Sequence, residues 1–345
     1  MMSKDDKLLN FAVIGAGYWG PNLARVIDQN FNCDLKIVID KSKKNLENLT
    51  KNFKHFRVST NISDLDKIKL DCVAIATPPE THYEIAKSLI NKKINILVAK
   101  PLCLNIDEAK ELYELYIKNN VEILIDETFI YSNQVKELKR YVNDKNSFGE
   151  LTFIDSARVN LGLFQQNTNV IWDLAPHEIA ISSYVLGEYP TKVRATSINA
   201  LKIDGVEESY ANCEYYFEKT EVLMTSLISW LSPIKLRRMV FGGTNQTIVY
   251  DHLDYEAPLK IFNQRVLTKN IDGVTNYDYS IGSQFVPHIK INEPLKNEIE
   301  QIVLYLKEKN TIFPNNKHAY NSVSVLTSLI ESTKNNGNYQ EVNLI

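Results

Sequence analysis

No stretch of this sequence reaches the run of about 18 apolar residues that a membrane-crossing helix needs. The opening segment, Met1 to Asn10, is polar and lacks the apolar core of a secretory leader, which points to the cytoplasm and away from a membrane partner. Cysteine is sparse. Cys33, Cys72, Cys103 and Cys213 stand far apart without a Cys-x-x-Cys pair, which argues for reduced, buried thiols and against disulfides or a thiolate zinc site. An excess of one charge is missing too: 39 basic and 42 acidic residues leave a net charge of −3, with no cationic surplus for a nucleic-acid partner. No internal repeat or low-complexity segment interrupts the chain. No His, Asp and Glu group has metal-ligand spacing, so no metal is expected. What remains is an ordinary globular composition, 44% hydrophobic and 23% charged, long enough at 345 residues for about two domains.

Glycine is scarce as well, 12 in all, yet three of the twelve crowd into Gly15-x-Gly17-x-x-Gly20. They follow the short apolar run Phe11-Ala-Val-Ile14. After such a strand, the first glycine permits the tight turn, the second lets backbone approach a pyrophosphate, and the third allows close helix packing. Pro21 suits the first turn of the following helix, whose free N–H groups and roughly half a positive charge would face phosphate. A second apolar run, Leu35 to Ile39, ends at Asp40, 20 residues after Gly20, where a carboxylate can accept from ribose hydroxyls. The pattern predicts a bound dinucleotide.

The first third alternates strands (11–14, 35–39, 71–76, 94–98, 121–125 and a weaker one at 56–58) with helices of apolar period near 3.6. That alternation predicts an α/β, doubly wound parallel sheet over residues 1–126. The pattern then changes. Residues 127–345 read as an α+β domain with a large, mostly antiparallel, open-faced sheet: helices at 132–143 and 171–186, and strands at 150–161, 191–201, 209–217, 221–231, 234–242 and 246–251. Gly242-Gly243 is expected in a hairpin turn. The two final helices, the first carrying Leu295, Ile299, Ile302, Val303 and Leu306, could pack back on the first domain. The outer sheet face, carrying Tyr215, Phe217, Ile228 or Trp230 according to register, is an expected subunit interface for a homodimer or homotetramer.

Three further motifs bear chemistry. Thr77-Pro78-Pro79-Glu80-Thr81-His82 follows a strand at the carboxyl edge where open α/β sheets bind ligands. Lys100 precedes Pro101 at the end of the neighbouring strand, which holds its backbone extended. Asp173 and His177 are four apart, on one face of a predicted helix.

Over nearly the whole chain, these motifs in this order resemble the Gfo/Idh/MocA family of nicotinamide-dependent sugar oxidoreductases. The stretches Arg158 to Gln165, Trp172 to His177 and Ser229 to Lys235 are similar to members from bacterial nucleotide-sugar and surface-polysaccharide pathways. The resemblance implies an N-terminal Rossmann domain and hydride transfer between NAD, with NADP as the alternative, and a sugar hydroxyl or keto group. Implied cofactor contacts are Gly15, Gly17, Tyr18, Trp19, Gly20, Asp40, Lys41, Thr77, Pro78, His82 and Lys100, with His82 capping or packing at its helix start. Glu127, Arg158, Asn160, Trp172, Asp173 and Lys235 are the implied substrate residues, and Arg158, Asn160 and Lys235 could each hold a diphosphate or equally pair locally. Among the catalytic residues Lys100, Asp173 and His177, the histidine is the expected acid/base. An imidazole titrates near 6.5, whereas an amine near 10.4 would have to be lowered by roughly 3 to serve at neutrality. Lys100 then stabilises charge on the reacting oxygen, and Asp173 orients the substrate or His177.

One departure stands out. Ala99 occupies the position before the lysine where the family carries glutamate, while the adjacent strand ends in Asp126-Glu127. Either carboxylate is expected to replace the lost one. Two other readings share the fold: a non-catalytic NAD or sugar sensor, and a glycoside hydrolase that uses NAD for transient oxidation.

Overall fold

The computed structural model describes residues 8–53, 55–162, 164, 168–200, 208–271, 273–309 and 312–345. Gln165 and Leu201, which the sequence expectations include, lie outside the described residues. In chain order the elements begin β1 (Leu9–Ile14), α1 (Gly20–Asp28), β2 (Cys33–Ile39), α2 (Lys43–Asn52), β3 (Arg57–Ser59), β4 (Cys72–Ile75), α3 (His82–Asn91), β5 (Asn95–Ala99), α4 (Ile106–Asn119) and β6 (Ile123–Asp126). There follow α5 (Asn133–Val142), α6 (Lys145–Phe148), β7 (Leu151–Leu161), α7 (Val170–Leu186), β8 (Lys192–Ile198), β9 (Tyr210–Phe217), β10 (Val222–Ser229), β11 (Leu231–Gly243), β12 (Thr247–Asp251) and β13 (Leu259–Phe262). The chain closes with β14 (Arg265–Ile271), β15 (Val274–Ser280), β16 (Gln284–Phe285), α8 (Pro294–Glu308), α9 (Asn316–Lys334) and β17 (Gln340–Glu341). They form two compact units: Met1–Tyr131 with Glu293–Val323 and Ile345, and Ser132–Asn292 with Ser324–Leu344.

The first unit is the doubly wound sheet expected, with strand order β3-β2-β1-β4-β5-β6 and every pairing parallel. Its strands are continuous apolar runs because helices cover both faces. Phe11 to Ile14 of β1 and Cys72 to Ile75 of β4 are fully buried. The apolar stripe of α1 (Leu23, Ala24, Val26, Ile27) meets Leu295, Ile299, Ile302 and Val303 of α8 in one core cluster. Each such aliphatic side chain contributes about 1.5–3 kcal/mol when wholly buried. The strand order reverses between β1 and β4, and this switch point sets the ligand crevice at the carboxyl ends of the strands.

The second unit holds a nine-stranded sheet, β16-β13-β12-β11-β7-β10-β9-β8-β17, antiparallel except where β10 runs parallel to β7. Helix α7 packs on β9 and β10, and this decides which parity faces inward. Tyr215, Phe217, Ile228 and Trp230, expected on the outer face, are all buried. The outer face carries Phe153, Leu223 and Ile198 instead. The glycine pair also sits differently: Gly242 and Gly243 end β11, and the turn follows at 244–246. A Cβ on Gly242 would lie 2.1 Å from the Phe153 ring, so glycine is needed for the ring to cross the strand. Strands β13 to β16 have no counterpart in the sequence expectation, and β14 and β15 pair as a separate two-stranded ribbon.

Candidate active site

Within the first unit, the glycine turn closes on steric grounds. Gly15 has φ +100°, and a Cβ on Gly20 would lie 1.8 Å from the Gly15 carbonyl oxygen. A Cβ on Gly17, by contrast, meets nothing within 4 Å, which is the clearance a pyrophosphate needs beside a helix N-terminus. Asp40 is held tightly at the tip of β2. Its Oδ2 accepts from the Ala16 N–H at 2.6 Å and from Asn45 Nδ2 at 3.3 Å, and its Oδ1 accepts from the Ser42 N–H at 2.7 Å. A carboxylate has about four acceptor sites, so ribose hydroxyls can still be accommodated. Lys41 is exposed beside it, and Tyr18 is 91% exposed on the turn. The residues present fit a dinucleotide.

Thr77 and Pro78 follow β4 at the same carboxyl edge. His82 lies behind them, packed at its helix start: it is 1% exposed, with Nδ1 2.8 Å from the Pro101 carbonyl oxygen and Nε2 2.8 Å from that of Thr77. The imidazole therefore ties the loop after β4 to the loop after β5, directly beside Lys100. Burial lowers its pKa, partly offset by these two carbonyls.

Lys100 is half-buried at the end of β5, and its peptide bond to Pro101 is cis. Ala99 pairs with Asp126 across the β5–β6 ladder, so the position lacking the family glutamate faces a carboxylate on the next strand. Asp126 and Glu127 are both buried. Burial raises both carboxyls. Hydrogen bonds from Trp19, Thr128 and Glu298 pull Asp126 back, His318 pulls Glu127 back, and the Lys100 ammonium adds a smaller lowering to both. Trp19 Nε1 donates to Asp126 Oδ2, and Thr128 Oγ1 donates to Oδ1 at 2.8 Å. Since β4 and β5 lie between β1 and β6, this indole spans the carboxyl edge from the glycine turn to the last strand. Glu298 of α8, whose Oε1 accepts from the Glu127 N–H at 3.1 Å, and His318, with Nε2 3.7 Å from Glu127 Oε1, complete a cluster that the motifs did not include.

In the second unit, α7 starts at Asn169, whose Oδ1 accepts from the N–H groups of Ile171 and Trp172. Pro176 cannot donate to the Trp172 carbonyl. Asp173 and His177 are half-buried one turn apart on this helix, and Trp172 is buried at its start. Asp173 Oδ2 accepts from Trp230 Nε1 at 2.9 Å. Of the two expectations for Arg158, holding a diphosphate or pairing locally, the structure shows the second: it is buried and its Nε donates to Glu178 Oε1 and Oε2 at 2.8 and 2.7 Å. Asn160 is half-buried and Lys235 is exposed. Three residues without a motif join them. Arg237 pairs across β11–β7 with Arg158, and Tyr250 OH lies 3.3 Å from His252 Nδ1. Burial, then Arg237, Arg158 and Lys235, pulls His252 down to about 4.

The glycine turn, the carboxylate at the tip of β2 and the edge lysine stand together on the carboxyl edge of a doubly wound sheet, the layout of a dinucleotide-binding domain. Residues 9–126 match the oxidoreductase family, NAD-binding Rossmann fold, known as Gfo/Idh/MocA. GenD2 from gentamicin A biosynthesis, solved in complex with NAD, has a similar structure (TM-score 0.79, 20% identity, 98% of this chain and 97% of that one). So does UDP-N-acetylglucosamine 3-dehydrogenase from Acidithiobacillus ferrooxidans (TM-score 0.79, 18% identity, 95% and 98%). A curated relative is 2,7-anhydro-N-acetylneuraminate hydratase of Escherichia coli, 23% identical over 54% of this chain and 52% of its own. The chain spans about half the length of the first curated relatives it matches. The family match thus covers the N-terminal domain, residues 9–126.

Among the described residues, no helix is long and apolar enough to cross a membrane.

Proposed function

We infer that this protein transfers hydride between NAD and a hydroxyl or keto group of a sugar, most specifically a nucleotide-linked sugar of surface-polysaccharide synthesis. The observation that carries this reading is an ammonium, Lys100, at the carboxyl edge of a dinucleotide-binding sheet, with two buried carboxylates in its field. Bound nicotinamide supplies the hydride acceptor or donor. The protein supplies the rest. Lys100 donates to the reacting oxygen and offsets the negative charge that grows there as the O–H proton leaves. His177 takes that proton in oxidation and returns it in reduction, and Asp173, held by the Trp230 indole, orients it. Asp126 or Glu127 replaces the family carboxylate. Lys235 and Arg237 offer charge for a diphosphate, and a second copy of the chain meets the outer sheet face at Phe153, Leu223 and Ile198.

Purified protein with NAD and a panel of nucleotide sugars is expected to change absorbance at the nicotinamide band with one of them. A chain that retains neither coenzyme would end this reading. A second reading uses bound NAD for transient oxidation and re-reduction during glycoside cleavage. It predicts a new sugar product without net NADH.

NAD is preferred over NADP in this reading because three donors fix the Asp40 carboxylate, whose charge would repel a 2′-phosphate held beside it. At about 4 Å and an effective dielectric near 20, each charge pair costs about 4 kcal/mol. Asp40→Ala is therefore expected to weaken NAD binding and to raise the NADP/NAD affinity ratio by up to about a thousandfold. Fluorescence titration with both cofactors checks this, and an unchanged ratio would remove Asp40 from specificity.

A further inference from the structure

The cluster behind Lys100 holds three buried carboxyls, and hydrogen-bond donors are distributed unevenly among them. Asp126 receives the Trp19 indole on one oxygen and the Thr128 hydroxyl on the other. Glu298 is 0% exposed and receives one donor, the Glu127 N–H, on Oε1. Its Oε2 is buried and receives no donor, while the Asp126 carboxyl lies within hydrogen-bonding reach of the Glu298 carboxyl. A carboxylate oxygen left bare in a dry interior is costly, whereas a protonated oxygen becomes a donor. The group that acts most strongly on Glu298 after burial itself is the Asp126 carboxyl. Two buried anions side by side are resolved by sharing one proton.

We propose that Glu298 is a positioning residue of this site: it carries a proton, directs it toward Asp126, and so limits the pair to one negative charge facing Lys100. The arrangement lets a helix from the far end of the sequence determine the charge that the edge lysine meets. The role in turnover rests on the hydride-transfer reading above; the proton itself does not. The other titratable groups around the pair are Glu127 after β6, His318 on α9 and Lys100 after β5. Among the described residues no three such side chains are placed to hold a metal ion.

Burial and Asp126 hold the Glu298 carboxyl well above the usual carboxylate range. An acid raised by folding stabilises the fold below its unfolded value and loses that contribution as pH climbs through the raised one. The first unit should therefore weaken on the alkaline side, and Glu298→Gln, a neutral donor of the same shape, should flatten that loss.

Infrared spectra of the whole chain, titrated through neutrality, test the proton directly. A protonated-carboxyl band should persist at about pH 7, where free carboxyls are ionised. It should disappear in Glu298→Gln and survive in Glu127→Gln. Absence of the band in the unaltered chain, or a band indifferent to Glu298→Gln, overturns the proposal without reliance on any variant's activity. In turnover, Glu298→Ala should lower kcat about tenfold at unchanged KM, with Glu298→Gln restoring most of it, as loss of one hydrogen bond to a charged group implies. A loss confined to KM would overturn the positioning role. A chain that turns over no sugar would sink the hydride-transfer reading instead, and the infrared band alone would then decide the proton.

Discussion

Replacing Lys100 by methionine is expected to cut kcat by about 10²–10³-fold, the loss that follows when one preorganised donor to a developing oxyanion is removed. Methionine keeps the length of the side chain and removes only the charge and its donors. The glycine turn and Asp40 belong to β1 and β2, so NAD affinity should hold while turnover falls. Stability offers a second check. Lys100 pulls the carboxyls of Asp126 and Glu127 downward against their burial, so without it both rise further. Carboxyls raised by folding favour the folded state at low pH and oppose it at high pH. The variant should therefore be less stable than the parent at neutral pH, with the gap narrowing as pH falls. Unchanged kcat with every active sugar would take Lys100 out of the chemistry, whereas equal loss of kcat and NAD binding would point to a collapsed crevice.

The parallel half of the fold was legible because its strands are buried on both faces and read as unbroken apolar runs. The weak strand near 56–58 appears as Arg57–Ser59. The ribbon β14–β15 was not legible, since β15 is exposed almost throughout and has no apolar face to set a period of two. The inner face of the larger sheet was ambiguous for a related reason: Tyr215 and Phe217 alternate with Glu214 and Tyr216, and only packing against α7 selects the parity. At the site, local motifs gave Asp40, Lys100 and the Asp126-Glu127 pair. Glu298 and His318 come from far along the chain, and no motif spans that distance. A signal did exist for Glu298, which lies between Leu295 and Ile302 on the apolar stripe of α8. A carboxyl in that position is either unstable or has a purpose. Arg158 offered the same signal, sharing the inward parity of Ile154 and Ser156 on β7, and of its two readings, diphosphate holder or local pair, only the second agrees with that parity.

Arg158→Ala should destabilise the second unit by about 3–5 kcal/mol, because it leaves the Glu178 carboxylate buried without its counterion. The side chains of this pair are 4% and 1% exposed, with Ser156 Oγ a further donor to Glu178 at 3.3 Å. Against a total stability of about 5–15 kcal/mol, such a loss is large. The exposed pair Lys269–Asp278, at 3.5 Å, provides the contrast: Lys269→Ala should change stability by no more than about 1 kcal/mol. Joint replacement of Arg158 and Glu178 by methionine removes both desolvation costs and should recover most of the loss. Denaturant unfolding followed through Trp172 and Trp230 measures all three variants. The double variant also separates two roles for Arg158. A guanidinium turned inward to Glu178 predicts an unchanged KM for the sugar once stability is restored. A tenfold rise in KM would return Arg158 to the substrate site and place Glu178 there as its orienting partner.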